Sequence, residues 1–329
     1  MKQIINLIKQ SKSVAVFGHQ SPDGDCLGSI SAISFLIQSF GINVDAFIDD
    51  DIPPRLTFLE YDNVNKKDFD LSNYDLLITV DVASDRLLGK YKDIFLNFAK
   101  TIVIDHHKNR NLQGTLVTYV DNKKASCSEI IFELIITAKI NITKDIATKL
   151  YMGVVDDTAC FLHDNTTSST HYVGAKLLEL GADLHCINYN IIKKIPRKTF
   201  EIRQLLNSQI VFDGELTYIV ISGKFMMKHN FTKVDIGDYV NMLVNLENTK
   251  IAFTVVEKQK NVFSVSLRSI SGYDVSHIAS ALGGGGHSQA SGLEIREDFK
   301  DNLDKLIKLC KDEIEQVSNV WKKWNNSSQ

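Results

Sequence analysis

Short apolar runs rich in β-branched residues recur through the first half of the chain, at Val14-Ala-Val-Phe17, Val44-Asp-Ala-Phe-Ile48, Leu76-Leu-Ile-Thr-Val80 and Thr101-Ile-Val-Ile104. Helical patterns lie between and after them. From Leu27 to Phe40 the apolar residues fall at 27, 30, 33, 36, 37 and 40, the spacing of a helix packed on a sheet. Further helices are predicted over 126–140, 143–155 and 168–181, the last ended by Gly181. Strands alternating with helices predict βαβ units around a mainly parallel, doubly wound α/β sheet, here over residues 1–187. The pattern then changes to the basic stretch Ile191-Ile-Lys-Lys-Ile-Pro-Arg-Lys198, and a linker is placed at 188–204. Beyond it, residues 208–212, 216–222, 250–257 and 262–268 alternate like strands, with helices expected at 235–246 and 298–317. That mixture predicts a smaller α+β domain over 205–317. The polar end, 318–329, which carries Trp321 and Trp324, is expected to fray.

Length agrees with this division, since 329 residues suffice for two cores at roughly 100 to 200 residues per domain. The formal net charge of −3 supplies no global positive field, which argues against long duplex nucleic acid and leaves room for a small anionic substrate. No stretch approaches the roughly 18 apolar residues of a membrane span. Asn6 and Lys9 interrupt the apolar residues at the N-terminus, unlike a signal peptide. The five cysteines are odd in number and form no CxxC pair, so neither a disulfide framework nor a thiolate zinc site is expected. These features together predict a reduced, cytoplasmic protein. The few chain breakers are unevenly placed: Gly272, Gly283, Gly284, Gly285, Gly286 and Gly292 lie close together, and Pro22 sits inside His19-Gln-Ser-Pro-Asp-Gly-Asp25.

Three of the predicted strands are followed at once by ionisable ligands. Phe17 is followed by Gly18-His19 and then Asp23 and Asp25, Val80 by Asp81, and Ile104 by Asp105-His106-His107. A fourth contribution, Gly153-Val-Val-Asp156-Asp157-Thr158, ends an apolar helix. In open α/β sheets, sites form outside the carboxyl ends of the strands. Carboxylates converging there repel one another unless cations lie between them. Oxygen and imidazole donors without thiolate suit Mn²⁺ or Mg²⁺, with Zn²⁺ or Co²⁺ compatible. Two ions are favoured, because Asp23 and Asp25 flank Gly24 and can address adjacent ions while Asp81 bridges. Such a pair serves in-line displacement at phosphorus, which makes hydrolysis of a phosphate ester the leading chemistry.

His19-x-x-Pro-Asp-Gly-Asp-x-Leu-Gly-Ser29, Asp81, the Asp105-His106-His107 triplet and Gly153-Val-Val-Asp-Asp-Thr-Ala-Cys-Phe161 resemble the four motifs of the DHH phosphoesterase superfamily. Leu267-Arg268-Ser269 and Gly283-Gly-Gly-Gly286-His287-x-x-Ala290-x-Gly292 resemble its DHHA1 substrate-binding domain. Within the superfamily, the resemblance is to the compact NrnA-like oligoribonucleases, also described as pAp phosphatases. It implies that His19, Asp23 and Asp81 hold one Mn²⁺, and that Asp25, bridging Asp81, His106 and Asp157 hold the other, with Mg²⁺ or Co²⁺ as substitutes. His107 would face the substrate phosphate and Asp105 would orient the histidine pair. Asp157 is taken over Asp156 because the family's ligand immediately precedes the Thr. Arg268, Ser269, Gly284, Gly285, Gly286 and His287 would bind the substrate, the glycines forming an anion nest that closes over an active site in the cleft between the domains.

The implied reaction is Mn²⁺-dependent hydrolysis of short oligoribonucleotides to 5′-mononucleotides, with pAp as a further substrate and a homodimer as the expected assembly. Acidic net charge and the lack of an evident extra nucleic-acid-binding domain favour RNAs of about two to five nucleotides over long ones. Cleavage of cyclic di-AMP or pApA is the runner-up. A family II inorganic pyrophosphatase has similar N-terminal motifs, but the glycine run argues against it. A module that senses nucleotides without cleaving them is disfavoured by the complete set of acids.

Overall fold

The computed structural model describes all residues except 62–63, 65–67, 109 and 328–329; the side chains of His287 and of residues 320–327 are also outside the description. The chain divides into two compact units, Met1–Lys194 and Ile195–Gln329.

In the first unit, β1 (Ser13–Phe17), β2 (Asn43–Phe47), β3 (Leu76–Val80), β4 (Thr101–Asp105) and β5 (Val117–Val120) form one sheet in the order β2-β1-β3-β4-β5, every neighbouring pair parallel. The central strands β1, β3 and β4 are mostly apolar on both sides because both faces are covered. Val14, Val16, Ile78 and Ile102 join the core formed with α1 (Lys2–Lys9), α2 (Gly24–Ser39), α4 (Cys127–Ala138) and α5 (Lys144–Asp157). Ala15, Phe17, Leu77 and Val103 face the other way, toward Tyr91 and Phe95 at and in α3 (Lys92–Asn97). The unit is completed by α6 (Ser168–Glu179), α7 (Leu184–Ile187) and a π-helical turn, Asn188–Lys193. Strand β5 was not foreseen: its four residues are half-buried and follow no apolar run.

The second unit holds a mixed sheet in the order β10-β11-β9-β8-β7-β6, built from β6 (Val211–Asp213), β7 (Leu216–Ile221), β8 (Ile251–Gln259), β9 (Val262–Ser269), β10 (Gly285–His287) and β11 (Ala290–Ile295). Only β7 and β8 run parallel. One face carries the core of Phe253, Val265, Leu267, Ile278 and Leu306, the other that of Ile219, Ile221, Tyr239 and Leu243. The helices are α8 (Arg197–Asn207), α9 (Gly223–Lys228), α10 (Lys233–Ile236), α11 (Tyr239–Val244), α12 (Ser276–Ala281) and α13 (Phe299–Ser327).

Three local expectations change. The helix expected over 235–246 is two short ones, separated at Gly237, whose φ of +58° ends the first. The strand expected from 208 starts at Val211, because α8 runs on to Asn207. The helix expected over 298–317 continues to Ser327 through the end that was read as frayed. Neither Gly nor Pro follows Phe299, so the chain carries no stop signal there. Among the described residues, no helix is long and apolar enough to cross a membrane.

Candidate metal centre

The neighbouring strands β1, β3 and β4 deliver His19, Asp81 and the Asp105-His106-His107 triplet to one edge of the sheet. Asp81, the first residue past β3, has a left-handed backbone with φ +60° and donates its amide to the Ile104 carbonyl at 3.0 Å. Asp tolerates this conformation better than most side chains, although strain of about 1 kcal/mol remains. Asp23 caps α2 by accepting the Cys26 amide at 2.9 Å. Asp25, in the first turn and fully buried, accepts the amides of Cys127 at 2.6 Å and Ser128 at 2.8 Å. A carboxylate of α2 thus occupies the positive end of α4, where free backbone donors and the helix dipole favour an anion. Asp157 is the last residue of α5, which packs against α2.

His19 Nε2 lies 3.6 Å from Asp23 Oδ1 and 3.5 Å from Asp81 Oδ2. His106 Nε2 lies 3.4 Å from Asp81 Oδ1, 3.2 Å from Asp157 Oδ2 and 3.9 Å from Asp25 Oδ2. Asp81 is therefore common to both groups, one oxygen toward each imidazole. The Nδ1 atoms are turned away, His19's to the Gln20 carbonyl at 2.7 Å and His106's to that of Lys124 at 3.4 Å, so Nε2 is the atom that could ligate a metal. His107 Nδ1 sits 2.8 Å from Asp105 Oδ1, an oxygen that also accepts the His106 amide at 2.8 Å.

Asp81 Oδ1 and His106 Nε2 are buried and close, yet make no hydrogen bond. Buried polar atoms without partners are rare. A divalent cation would supply the missing partner for both, and three overlapping groups have ligand atoms within 4.8 Å of one another: His19, Asp23 and Asp81; Asp25, His106 and Asp157; Asp81, His106 and His107. The oxygen and imidazole donor set fits such an ion. Without one, the charges are compensated by protons. Burial opposes the charged imidazoles, but Cys26, Asp23 and Asp81 raise the pKa of His19, and Asp81, Asp157 and Asp25 that of His106. Burial and the Asp81 charge push Asp25 up to about 7. Burial and Asp25 likewise raise Asp157, whereas the His106 and His19 contacts outweigh burial at Asp81 and lower it. A metal held by these residues would take the place of those protons.

The two consecutive acids at the end of α5 part company. Asp157 turns to His106, while Asp156 accepts Arg55 Nη1 at 2.8 Å, Arg55 Nη2 at 2.9 Å and the Gly24 amide at 2.6 Å. Nothing around Arg55 in the sequence signalled this pair. The α4 amides that hold Asp25 were also missed, although Ser126-x-x-Glu129 carries the capping-box spacing that marks a helix start.

In the second unit the glycine run is more ordered than an open nest. Gly283, with φ +80°, follows α12, and Gly285, Gly286 and His287 pair with Gly292, Ser291 and Ala290 as an edge hairpin. A Cβ on Gly284 would overlap the Gly292 carbonyl, and one on Gly286, at φ +143°, would lie 2.5 Å from the Ala290 carbonyl. Close backbone approach therefore requires glycine at both positions. Arg268, on β9 beside this hairpin, donates Nε to Asn241 at 2.9 Å and Nη1 to the Leu267 carbonyl at 2.9 Å. The Ser269 hydroxyl faces the carbonyls of Tyr273 at 2.8 Å and Ser288 at 3.2 Å. The side chain of His287 lies outside the described residues.

Residues 13–154 match the DHH family, N-terminal domain, and residues 215–316 match the DHHA1 domain. The chain is 28% identical over 309 residues, 94% of its length and 96% of the relative's, to the bifunctional oligoribonuclease and PAP phosphatase NrnA of Mycoplasma genitalium. It is 25% identical over 88% of its length to the cyclic-di-AMP phosphodiesterase GdpP of Bacillus subtilis, of which it spans 47%. A solved structure described as an exopolyphosphatase-related protein from Bacteroides fragilis shares the fold, with a TM-score of 0.88 at 20% identity over 96% of this chain and 97% of that one. The chain thus carries a DHH family N-terminal domain over residues 13–154, followed by a DHHA1 domain over residues 215–316.

Proposed function

We propose that the chain is a two-metal, Mn²⁺-dependent phosphodiesterase that hydrolyses short oligoribonucleotides to 5′-mononucleotides and also dephosphorylates pAp. The observation that carries this reading is the buried cluster in which Asp81 lies against both His19 and His106, with Asp81 Oδ1 and His106 Nε2 lacking hydrogen bonds. Similarity to NrnA relatives along 94% of the chain supports the choice of substrate. Bound divalent cations supply Lewis acidity toward water and phosphate. His19, Asp23 and Asp81 hold one of them, and Asp25, Asp81, His106 and Asp157 the other. His107 protonates the leaving oxygen from Nε2, its ring fixed through Nδ1 by Asp105. In the second unit, Arg268, Gly284, Gly285, Gly286 and His287 take the substrate phosphate, while the Ser269 hydroxyl ties the turn of the hairpin through the Ser288 carbonyl. The acidic chain meets its anionic substrate through these local groups in the cytoplasm, as a homodimer.

The test is turnover of a short RNA oligomer, pAp, pApA, cyclic di-AMP and pyrophosphate by the full chain with Mn²⁺ and after chelation. Metal-dependent release of mononucleotides from the oligomer is expected. Turnover of pyrophosphate alone would overturn the proposal. Similarity to GdpP supports a second reading, hydrolysis of cyclic di-AMP or pApA, which would make cyclic di-AMP the best substrate in the same assay.

A further inference from the structure

The Asp156-Asp157 doublet leaves one carboxylate that the candidate metal centre does not use. Asp156 reaches back to α2, where Oδ2 accepts the Gly24 amide, and out to the turn Pro54–Leu56, where both oxygens are held by Arg55. Gly24 separates Asp23 from Asp25, and Asp156 precedes Asp157. A single side chain therefore touches both segments that carry candidate ligands. The fit at Gly24 is tight, since a Cβ there would come 2.7 Å from Asp156 Cβ.

We infer that Arg55 is a positioning residue: acting through Asp156, it fixes the start of α2 against the end of α5 and so sets the separation of Asp23 and Asp25 from Asp157. The inference rests on the two-metal reading above. A guanidinium fork holding both carboxylate oxygens fixes direction as well as distance, which a single ammonium does not. Removing a group that orients metal ligands commonly costs 10- to 100-fold in metal affinity. Charge alone predicts the opposite sign. Arg55 is a cation beside a cation site, so through-space repulsion makes its loss tighten metal binding.

The sign can be read by calorimetric titration of the full chain with Mn²⁺ alone, in wild type, Arg55→Gln, Arg55→Lys, Asp156→Asn and the double variant Arg55→Gln/Asp156→Asn. Arg55→Gln is expected to weaken Mn²⁺ about tenfold, and Arg55→Lys to restore only part of the loss. The double variant should bind no more weakly than the worse single one, because both remove the same linkage. In turnover, half-saturation by Mn²⁺ should rise while kcat at saturating Mn²⁺ stays near wild type. Mn²⁺ binding by Arg55→Gln equal to or tighter than wild type would overturn the inference. If circular dichroism shows Arg55→Gln unfolded, Arg55→Lys and Asp156→Asn decide by the same criterion. A wild type with no affinity for Mn²⁺ would instead overturn the two-metal reading itself.

Discussion

Gly153 offers a perturbation whose sign is set by the site. In an ordinary helix interior, Gly→Ala stabilises by about 1 kcal/mol. Gly153 is inside α5, but a Cβ there would overlap Ser128 Oγ and stand 2.8 Å from Asp25 Oδ1 and 2.9 Å from Ser128 Cβ. A rotamer change can move the hydroxyl, but it cannot move Ser128 Cβ, so α4 or the Asp25 carboxylate must shift. Overpacking of this kind costs about 1–3 kcal/mol. If Asp25 also loses one of its two amide bonds, a further 1.5–3 kcal/mol or so is lost, as befits a bond to a charged group. After subtracting the propensity gain, Gly153→Ala should destabilise the first unit by up to about 2 kcal/mol from overpacking alone and by about 1.5–5 kcal/mol with the lost bond, and weaken Mn²⁺ binding. Urea melts of the metal-free chain measure the first effect and Mn²⁺ titration the second. Ser128→Ala added to Gly153→Ala removes the worst overlap and should recover about 1 kcal/mol in a double-mutant cycle. A Gly153→Ala protein as stable as wild type, or more so, would refute the packing argument.

Asp81→Asn keeps the shape of the shared side chain but halves its capacity to ligate, and should lower hydrolysis at fixed Mn²⁺ by at least about 100-fold; wild-type turnover would sink the two-metal mechanism. Metal-free protein should lose stability as pH rises from about 5 to 8. The raised His19 and His106 pKa values contribute stability below their unfolded values near 6.5, lost as pH climbs toward the folded values. Asp25, raised to about 7 from 3.8, adds the same sign over the lower part of that window. Added Mn²⁺ competes with these protons, so its increment in Tm should grow with pH; an increment that shrinks would contradict the assignment. Ala159, Cys160 and Phe161 have φ of 45°, 62° and 65°, three consecutive left-handed residues just past the metal centre. Ala159→Gly should therefore stabilise by about 0.5–1 kcal/mol in urea melts, the relieved strain exceeding the added unfolded-state entropy.

The elements that carried a strong apolar signal were legible, and those whose pattern was interrupted by function or by a distant partner were not. Buried on both faces, β1, β3 and β4 read as plain apolar runs. Helix α2 was placed from Leu27, yet it starts at Gly24, because its first turn is filled by Asp25 rather than by apolar residues. The same substitution that hid the helix start disclosed the chemistry. All the acids and imidazoles placed at strand ends from the sequence meet at one edge, since their position depends only on where the strands stop. Arg55 could not be found this way: its partner is Asp156, and the contact exists only after α2 and α5 have packed. The hairpin at Gly285–His287 was likewise hidden, since glycine cannot advertise a strand by side-chain pattern.

The strand order has a consequence for how such a centre tolerates change. His19, Asp81 and His106 follow three adjacent strands, with Asp81 on the middle one. Neighbouring strands lie about 4.8 Å apart, and paired catalytic ions about 3.5–4 Å, so the hydrogen-bonded pitch of the sheet acts as a ruler for the donors. Loops beyond β1, β3 and β4 can lengthen or change sequence without rescaling that ruler, because the ladder that sets it lies beneath them. Only a change in strand order would do so: a strand inserted between β3 and β4 would roughly double the distance between Asp81 and His106, leaving one carboxylate unable to serve both sides.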